Sequence, residues 1–388
     1  MQLYSTRVRS FDQAQDKLSR FFVQLKEETR SVATGVQQGT EVDYQKIKMI
    51  YRSKAPLRIG LAGGGTDVSP YSDLYGGAIL NATISLYAQA SIEPILENKI
   101  ILEANDRCEN QEFDLQDELP IDGCLDLLKG VYNSVQKKYG SIKNGFKLST
   151  FVDAPAGSGL GTSSTLVVAI VGAFAEMLRL PLGEYDIAHY AYEIERKQLN
   201  LAGGRQDQYA ATFGGVNFME FYADDKVIVN PLRIKQQYLF ELENNLVLYY
   251  TATSRESALI IARQSKNVEL KSHQSIEAMH QLKQQAQMMK EALLKGRLHE
   301  FGEILDYGHQ QKRKMAEGIS NSLMEEMYEE AKKSGATGGK ISGAGGGGFM
   351  IFYCPANTKY KVIKSLERFG GYHKNYQFVE HGLTTWTI

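Results

Sequence analysis

The stretch Pro155-Ala-Gly-Ser-Gly-Leu-Gly-Thr-Ser-Ser164 puts three glycines and four hydroxyls into ten residues. It follows Phe146 to Val152, which reads as a strand, and it opens an apolar run from about Ser163 to Leu180 that reads as a long helix. A loop so placed has unpaired backbone N–H groups and the positive end of a helix dipole facing into it, which makes an anion site. Gly157, Ser158, Gly159, Leu160, Gly161 and Thr162 would wrap a phosphate, with Pro155 at the entry. Ser163 and Ser164 could cap the helix or ligate a magnesium ion beside that phosphate. A plain cap needs one hydroxyl and none of the glycines, so phosphate binding is the better reading.

Two further glycine loops flank this one. Lys54-Ala-Pro-Leu-Arg-Ile-Gly-Leu-Ala-Gly-Gly-Gly-Thr-Asp67 sets a carboxylate just after a tight turn through Gly65 and Thr66. Asp67 is suited there to accept hydrogen bonds from vicinal hydroxyls, or else to cap the turn. Ser342 to Gly348 matches GxGxxG through Gly343, Gly345 and Gly348, but it follows a helix (Leu323 to Lys333) and precedes a strand (Phe349 to Tyr353). A dinucleotide fingerprint needs the reverse order, so a dehydrogenase is not indicated. No GxxxxGK[ST] occurs, and Gly335 to Lys340 is one residue short of it. The HRD and DFG motifs of protein kinases are absent as well.

The elements that must hold these loops can be read along the chain. Leu57 to Leu61 is a strand leading into the first loop, and Ala78 to Pro94 and Lys99 to Ala104 are alternating runs. Residues 125 to 138 and about Tyr185 to Leu199 read as helices. From near Ser254 the composition becomes helix-rich, which places a domain boundary around residues 222 to 245. Residues 1 to 48 are polar and lack the apolar core of a secretory signal. They read as an extension without an assigned role.

Composition narrows the class. The 388 residues predict two domains or one large one, and 43% hydrophobic content can fill a core. Forty-four basic against 45 acidic residues give a net charge of -1, which removes the broad electrostatic case for a nucleic-acid binder. The longest apolar run, Thr165 to Ala175, is too short to suggest a membrane span. Cys108, Cys124 and Cys354 lie far apart, so neither a disulfide framework nor a zinc site is suggested, and a cytoplasmic location fits.

Three glycine loops in this order are identified as the pattern of the GHMP kinases, the family of galactokinase, homoserine kinase, mevalonate kinase and phosphomevalonate kinase. The chain resembles them from about residue 49 to near its end. Pro155 to Ser164 is similar to the family's PxxxGLGSS loop, with Thr162 where serine is usual. Lys340 to Gly348 resembles the third motif, which in the family supports the phosphate loop and the substrate, here through Gly343, Gly345 and Gly346. The resemblance implies an α+β, two-domain fold: a domain like the second domain of ribosomal protein S5 over residues 49 to 230 and a ferredoxin-like domain over residues 231 to 388. The active site would lie between them, using ATP and Mg2+.

Residue roles follow from the same resemblance. Ser163 matches the hydroxyl that ligates magnesium, and Glu195, in Tyr192-Glu-Ile-Glu-Arg196, is the preferred carboxylate ligand. Asp207, in Gly203-Gly-Arg-Gln-Asp-Gln208, matches the catalytic aspartate, with Lys54 or Arg58 assisting it. The wording of the first motif looks closest to the D-glycero-D-manno-heptose 7-phosphate kinases, with the fucokinases next. That implies phosphorylation of an anomeric hydroxyl to give a 1,7-bisphosphate for nucleotide-activated heptose synthesis; an unphosphorylated sugar such as L-fucose or galactose is the alternative. A sugar already carrying a phosphate needs a cation at its far end, for which Arg205 and Arg255 are the candidates.

Overall fold

The computed structural model describes residues 49–140, 142–253 and 257–388; the expected N-terminal extension and Arg255 lie outside them. Strand β1 (Tyr51–Ala62) is buried almost continuously, because both of its faces are covered. It pairs antiparallel with the 18-residue β2 (Gly77–Pro94), and between them the turn-rich segment includes a short helix, α1 (Tyr71–Tyr75). The length of β2 lets one strand serve two partners. Its first part pairs with β6 (Val216–Phe221) and its last part with β5 (Phe146–Val152).

The remaining strands of this sheet are β3 (Lys99–Ala104), β4 (Glu109–Asp114), β7 (Val227–Pro231) and β12 (Thr384–Thr387). The order is β12-β1-β2-β5-β3-β4, with β6 and β7 attached through β2. All pairings are antiparallel except β3 with β5. Because β12 pairs with β1, the end of the span expected to form the second domain belongs to the first sheet.

Helix α2 (Asp126–Tyr139) packs on α3 (Thr162–Leu178), which lies against β1 and β2. Residues Leu166 to Ala175 of α3 are all buried, as expected of a helix that is apolar all round. The helix expected from Tyr185 to Leu199 divides into α4 (Glu184–Tyr192) and a π-helical turn, Glu193–Gln198. The wider turn brings the consecutive residues Ile194 and Glu195 inside together, a device often found at functional sites. Helix α5 (Gln206–Phe213) follows.

The second sheet has the order β11-β8-β10-β9, built from β8 (Leu246–Tyr250), β9 (Gly338–Ile341), β10 (Phe349–Tyr353) and β11 (Tyr372–His373). Around it stand α6 (Gln236–Asn245), α7 (Ser257–Glu269), α8 (His273–Lys295), α9 (Phe301–Lys312), α10 (Ser322–Lys333) and α11 (Lys359–Leu366). The 23-residue α8 also packs on β1 and β2. One continuous apolar core therefore runs from α3 and the first sheet through Ala286 and Met289 to Phe349 and Ile351. Among the described residues no helix is long and apolar enough to cross a membrane.

Candidate active site

Arg58 is where the site is tied together. It sits inside β1, and its backbone N–H donates to Leu160 O at 3.1 Å while its Nη1 donates to Gly159 O at 2.6 Å. From the other side Ser342 Oγ donates to Gly159 O at 2.8 Å, and the Phe349 N–H donates to Ser158 O at 2.9 Å. The carbonyls of residues 158 to 160 are thus all engaged from behind. A trans peptide points its N–H away from its carbonyl, so the N–H groups of residues 159 to 161 face the opposite way. There Gly157, Gly159, Gly161, Thr162 and Ser163 line a cleft. No side chain caps α3, which leaves its first-turn donors for an anion.

The back-to-back fit of the phosphate loop and the third loop explains their glycines. Gly159 has φ +82°, and a Cβ there would fall 2.5 Å from Ser342 O. The third loop therefore buttresses the phosphate loop, and only Gly343 and Ala344 of it reach the cleft. Gly345 and Gly346 turn to Ile319, whose carbonyl accepts from the Gly346 N–H at 2.8 Å. Pro155 is exposed at the loop entry, whereas Ser158 and Leu160 are fully buried beneath it.

Arg58 also binds Asp207, with Nε at 2.7 Å and Nη2 at 2.6 Å from Oδ1. Asp207 and Asp67 both line the cleft. Asp67 Oδ2 accepts from the Gln206 N–H at 3.0 Å, and Gly204 makes that approach possible, since a Cβ there would fall 1.9 Å from Oδ2. Burial pushes the Asp67 carboxyl up from its ordinary value and the nearby Asp207 charge adds to this, against the Gln206 N–H and Arg58.

Glu195 is fully buried. Its Oε2 accepts from Gln208 Nε2 at 2.7 Å, while Oε1 lies 3.1 Å from Arg196 Nη1 yet makes no hydrogen bond. Gln208 Nε2 and Arg196 Nη2 both donate to Ser164 Oγ, at 3.2 and 3.1 Å, which couples the π-turn to the start of α3. The buried Glu195 carboxylate, with one oxygen short of donors, and the exposed Ser163 hydroxyl of the cleft lining are oxygen ligands of the kind a divalent cation takes alongside phosphate and water.

Three further sequence-derived candidates do not line the cleft. Lys54 lies outside the cleft, with its ammonium 5.1 Å from the Tyr87 ring centre, because it stands four residues before Arg58 on β1. Arg205 is 3% exposed and structural: it donates to Tyr222 O at 2.9 Å and Ser72 Oγ at 2.7 Å, and pairs with Asp73 at 3.0 Å. Thr66 is buried in its own turn, donating to Gly63 O and Ala78 O, while Gly65 reaches the cleft.

Two lysines were not anticipated. Lys312, at the end of α9, lines the cleft and donates to Gly343 O. Burial, then the Arg58 charge, lower it to about 8, with Asp67 opposing. Lys340 is buried beneath the cleft, donates to Gly60 O, and is held well below the usual lysine range by burial and by Lys312 and Arg58. Lys340 stands directly before the third glycine loop and so was within reach of the sequence; Lys312 carries no local signal.

An anion cradle, a buried cation cluster and two carboxylates meeting in one cleft between two sheets define a small-molecule phosphotransferase. Residues 126–215 match the GHMP kinases N terminal domain and residues 289–371 match GHMP kinases C terminal. The chain is 47% identical over 337 residues to D-glycero-alpha-D-manno-heptose 7-phosphate kinase of Campylobacter jejuni, covering 87% of this chain and 99% of that protein. The crystal structure of a D-glycero-D-manno-heptose 1-phosphate kinase from Bacteroides thetaiotaomicron superposes with TM-score 0.75 at 46% identity, over 87% of this chain and 99% of that one. Lactococcus lactis galactokinase, 19% identical, shares the fold with TM-score 0.69 over 93% of this chain and 99% of its own. The chain belongs to the GHMP kinases, which are ATP-dependent.

Proposed function

We propose that this kinase transfers the γ-phosphoryl group of ATP to the anomeric hydroxyl of D-glycero-D-manno-heptose 7-phosphate, giving the 1,7-bisphosphate. The observation that carries the substrate is the 47% identity to the Campylobacter jejuni enzyme across 99% of its length.

Phosphoryl transfer asks a protein mainly to position two oxygens in line and to neutralise charge. The N–H groups of residues 159 to 161 and the start of α3 bind the nucleotide phosphates. Ser163 and Glu195 would hold Mg2+, which when bound offsets charge on the β- and γ-phosphates. Asp207 has Oδ1 fixed by Arg58, which leaves Oδ2 to orient the anomeric hydroxyl and accept its proton. Arg58 lies between Gly159 and Asp207, in place to stabilise charge on the transferring group. With Arg205 engaged elsewhere, Arg255 is the remaining sequence-derived candidate for the 7-phosphate.

A magnesium-dependent assay of ADP release against D-glycero-D-manno-heptose 7-phosphate, L-fucose, galactose and mevalonate tests the reading. Selective turnover of the heptose phosphate is the expected outcome. Turnover of a neutral sugar alone would discard the heptose assignment and keep a sugar kinase.

A further inference from the structure

Two polar groups of the cleft lining are left unused by the transfer chemistry above. Gln264 of α7 is 3% exposed and lines the cleft, and its Nε2 is buried with no hydrogen-bond partner. Buried amide N–H groups are nearly always paired, because an unpaired one has lost its water without replacement. Lys312 of α9 is 4% exposed and has three donors, one of which goes to Gly343 O.

Both groups approach the same turn. A Cβ on Gly64 would lie 3.8 Å from Lys312 Nζ, and one on Gly65 would lie 3.6 Å from Gln264 Oε1. Neither glycine offers a side chain to satisfy them. Two residues further on, the turn presents the buried Asp67 carboxylate to the same cleft. The unpartnered Gln264 Nε2, the Lys312 ammonium and the buried Asp67 carboxylate thus belong to the lining of one cleft. That arrangement complements a pair of vicinal hydroxyls, each of which can accept one hydrogen bond and donate another.

We propose that Gln264 and Lys312 are specificity-determining residues, which donate to ring hydroxyls of the acceptor while Asp67 accepts from them. The sugar supplies the partner that Gln264 lacks in the free protein. A site built to hydrogen-bond hydroxyls rejects analogues lacking them far more strongly than an apolar pocket can. The inference rests on the sugar-kinase reading but is independent of which sugar is used.

The test is Gln264→Leu, which keeps the approximate shape and removes the donor. The acceptor KM should rise roughly tenfold to a hundredfold, the KM for ATP should stay within about twofold, and the Tm of the free protein should hold or increase. An amide with a merely structural role would give the opposite pattern: a lower Tm and an unchanged acceptor KM. Lys312→Gln, which retains a donor, should raise the acceptor KM less than Lys312→Met. Every variant is compared with wild type on whichever panel sugar wild type turns over. Failure of wild type on the heptose phosphate alone then overturns the substrate and spares this proposal. A folded Gln264→Leu protein with an acceptor KM within about threefold of wild type overturns it, and silence of wild type on the whole panel overturns both.

Discussion

The two walls of the cleft are made of different material. The phosphate wall is backbone: N–H groups of residues 159 to 161 and the uncapped start of α3, held by carbonyl contacts to Arg58, Ser342 and Phe349. The wall proposed for the acceptor is side chain: Asp67 from the first loop, Gln264 from α7 and Lys312 from α9. A backbone wall binds any phosphate chain and needs glycines in a fixed pattern, because only they permit the φ values and the close approach of the third loop. A side-chain wall reads particular hydroxyls and needs only that separate elements converge. On the proposed reading one wall is generic and the other selective.

The residue between the walls should show the largest effect. Asp207→Asn keeps the shape and one hydrogen bond to Arg58 but removes the proton acceptor. kcat should fall roughly 10²- to 10⁴-fold, with the KM for ATP within about twofold of wild type. Steady-state kinetics with ATP and acceptor varied separately would check this, and turnover within about threefold of wild type would remove Asp207 from the mechanism.

Arg205 supplies a contrast of stability with chemistry. It is a cation with no place on either wall, spent on Ser72, Asp73 and Tyr222. Arg205→Ala should lower unfolding free energy by about 2–3 kcal/mol, read from the urea midpoint, by leaving Ser72 Oγ and Tyr222 O without their donor. Activity toward phosphorylated and unphosphorylated sugars should change in the same proportion. A loss confined to phosphorylated acceptors would move Arg205 onto the acceptor wall after all.

The difference in material also decides what the sequence disclosed. The phosphate loop, its strand and its helix were legible because a strand, glycines and a helix had to follow one another: β5 is Phe146–Val152 as expected, and α3 begins one residue early, at Thr162. The π-turn escaped notice because Glu193 to Gln198 continues an ordinary helical pattern, and the extra residue per turn is a property of packing. Arg205 misled for a related reason. Its neighbours, glycines and the aspartate matched to the catalytic position, lie in the cleft, yet it stands at the N-terminal boundary of α5 with its side chain directed to α1. Lys312 and Gln264 stand in polar helical stretches where a lysine or glutamine is unremarkable. Only the meeting of α7 and α9 over the Gly64–Gly65 turn gives them meaning.

The smallest effect expected is also the one that separates the walls by pH. Lys312 is lowered to about 8 by burial and by Arg58, so its ammonium is lost as pH rises through that value, while the backbone donors of the phosphate loop do not titrate. Acceptor kcat/KM should fall above pH about 8 in wild type, the KM for ATP should stay flat over the same range, and the alkaline limb should be missing in Lys312→Met. Stability runs the other way. In the unfolded chain Lys312 keeps its proton to its ordinary value of 10.5, so between about 8 and 10.5 the unfolded state binds more protons and the folded state gains stability with rising pH. The difference in urea midpoint between wild type and Lys312→Met should therefore shift in favour of wild type across that window, while its acceptor kcat/KM declines. A parallel decline of both would mean that the Lys312 charge is retained as part of the fold, and the acceptor wall would have to be rebuilt around Asp67 and Gln264 alone.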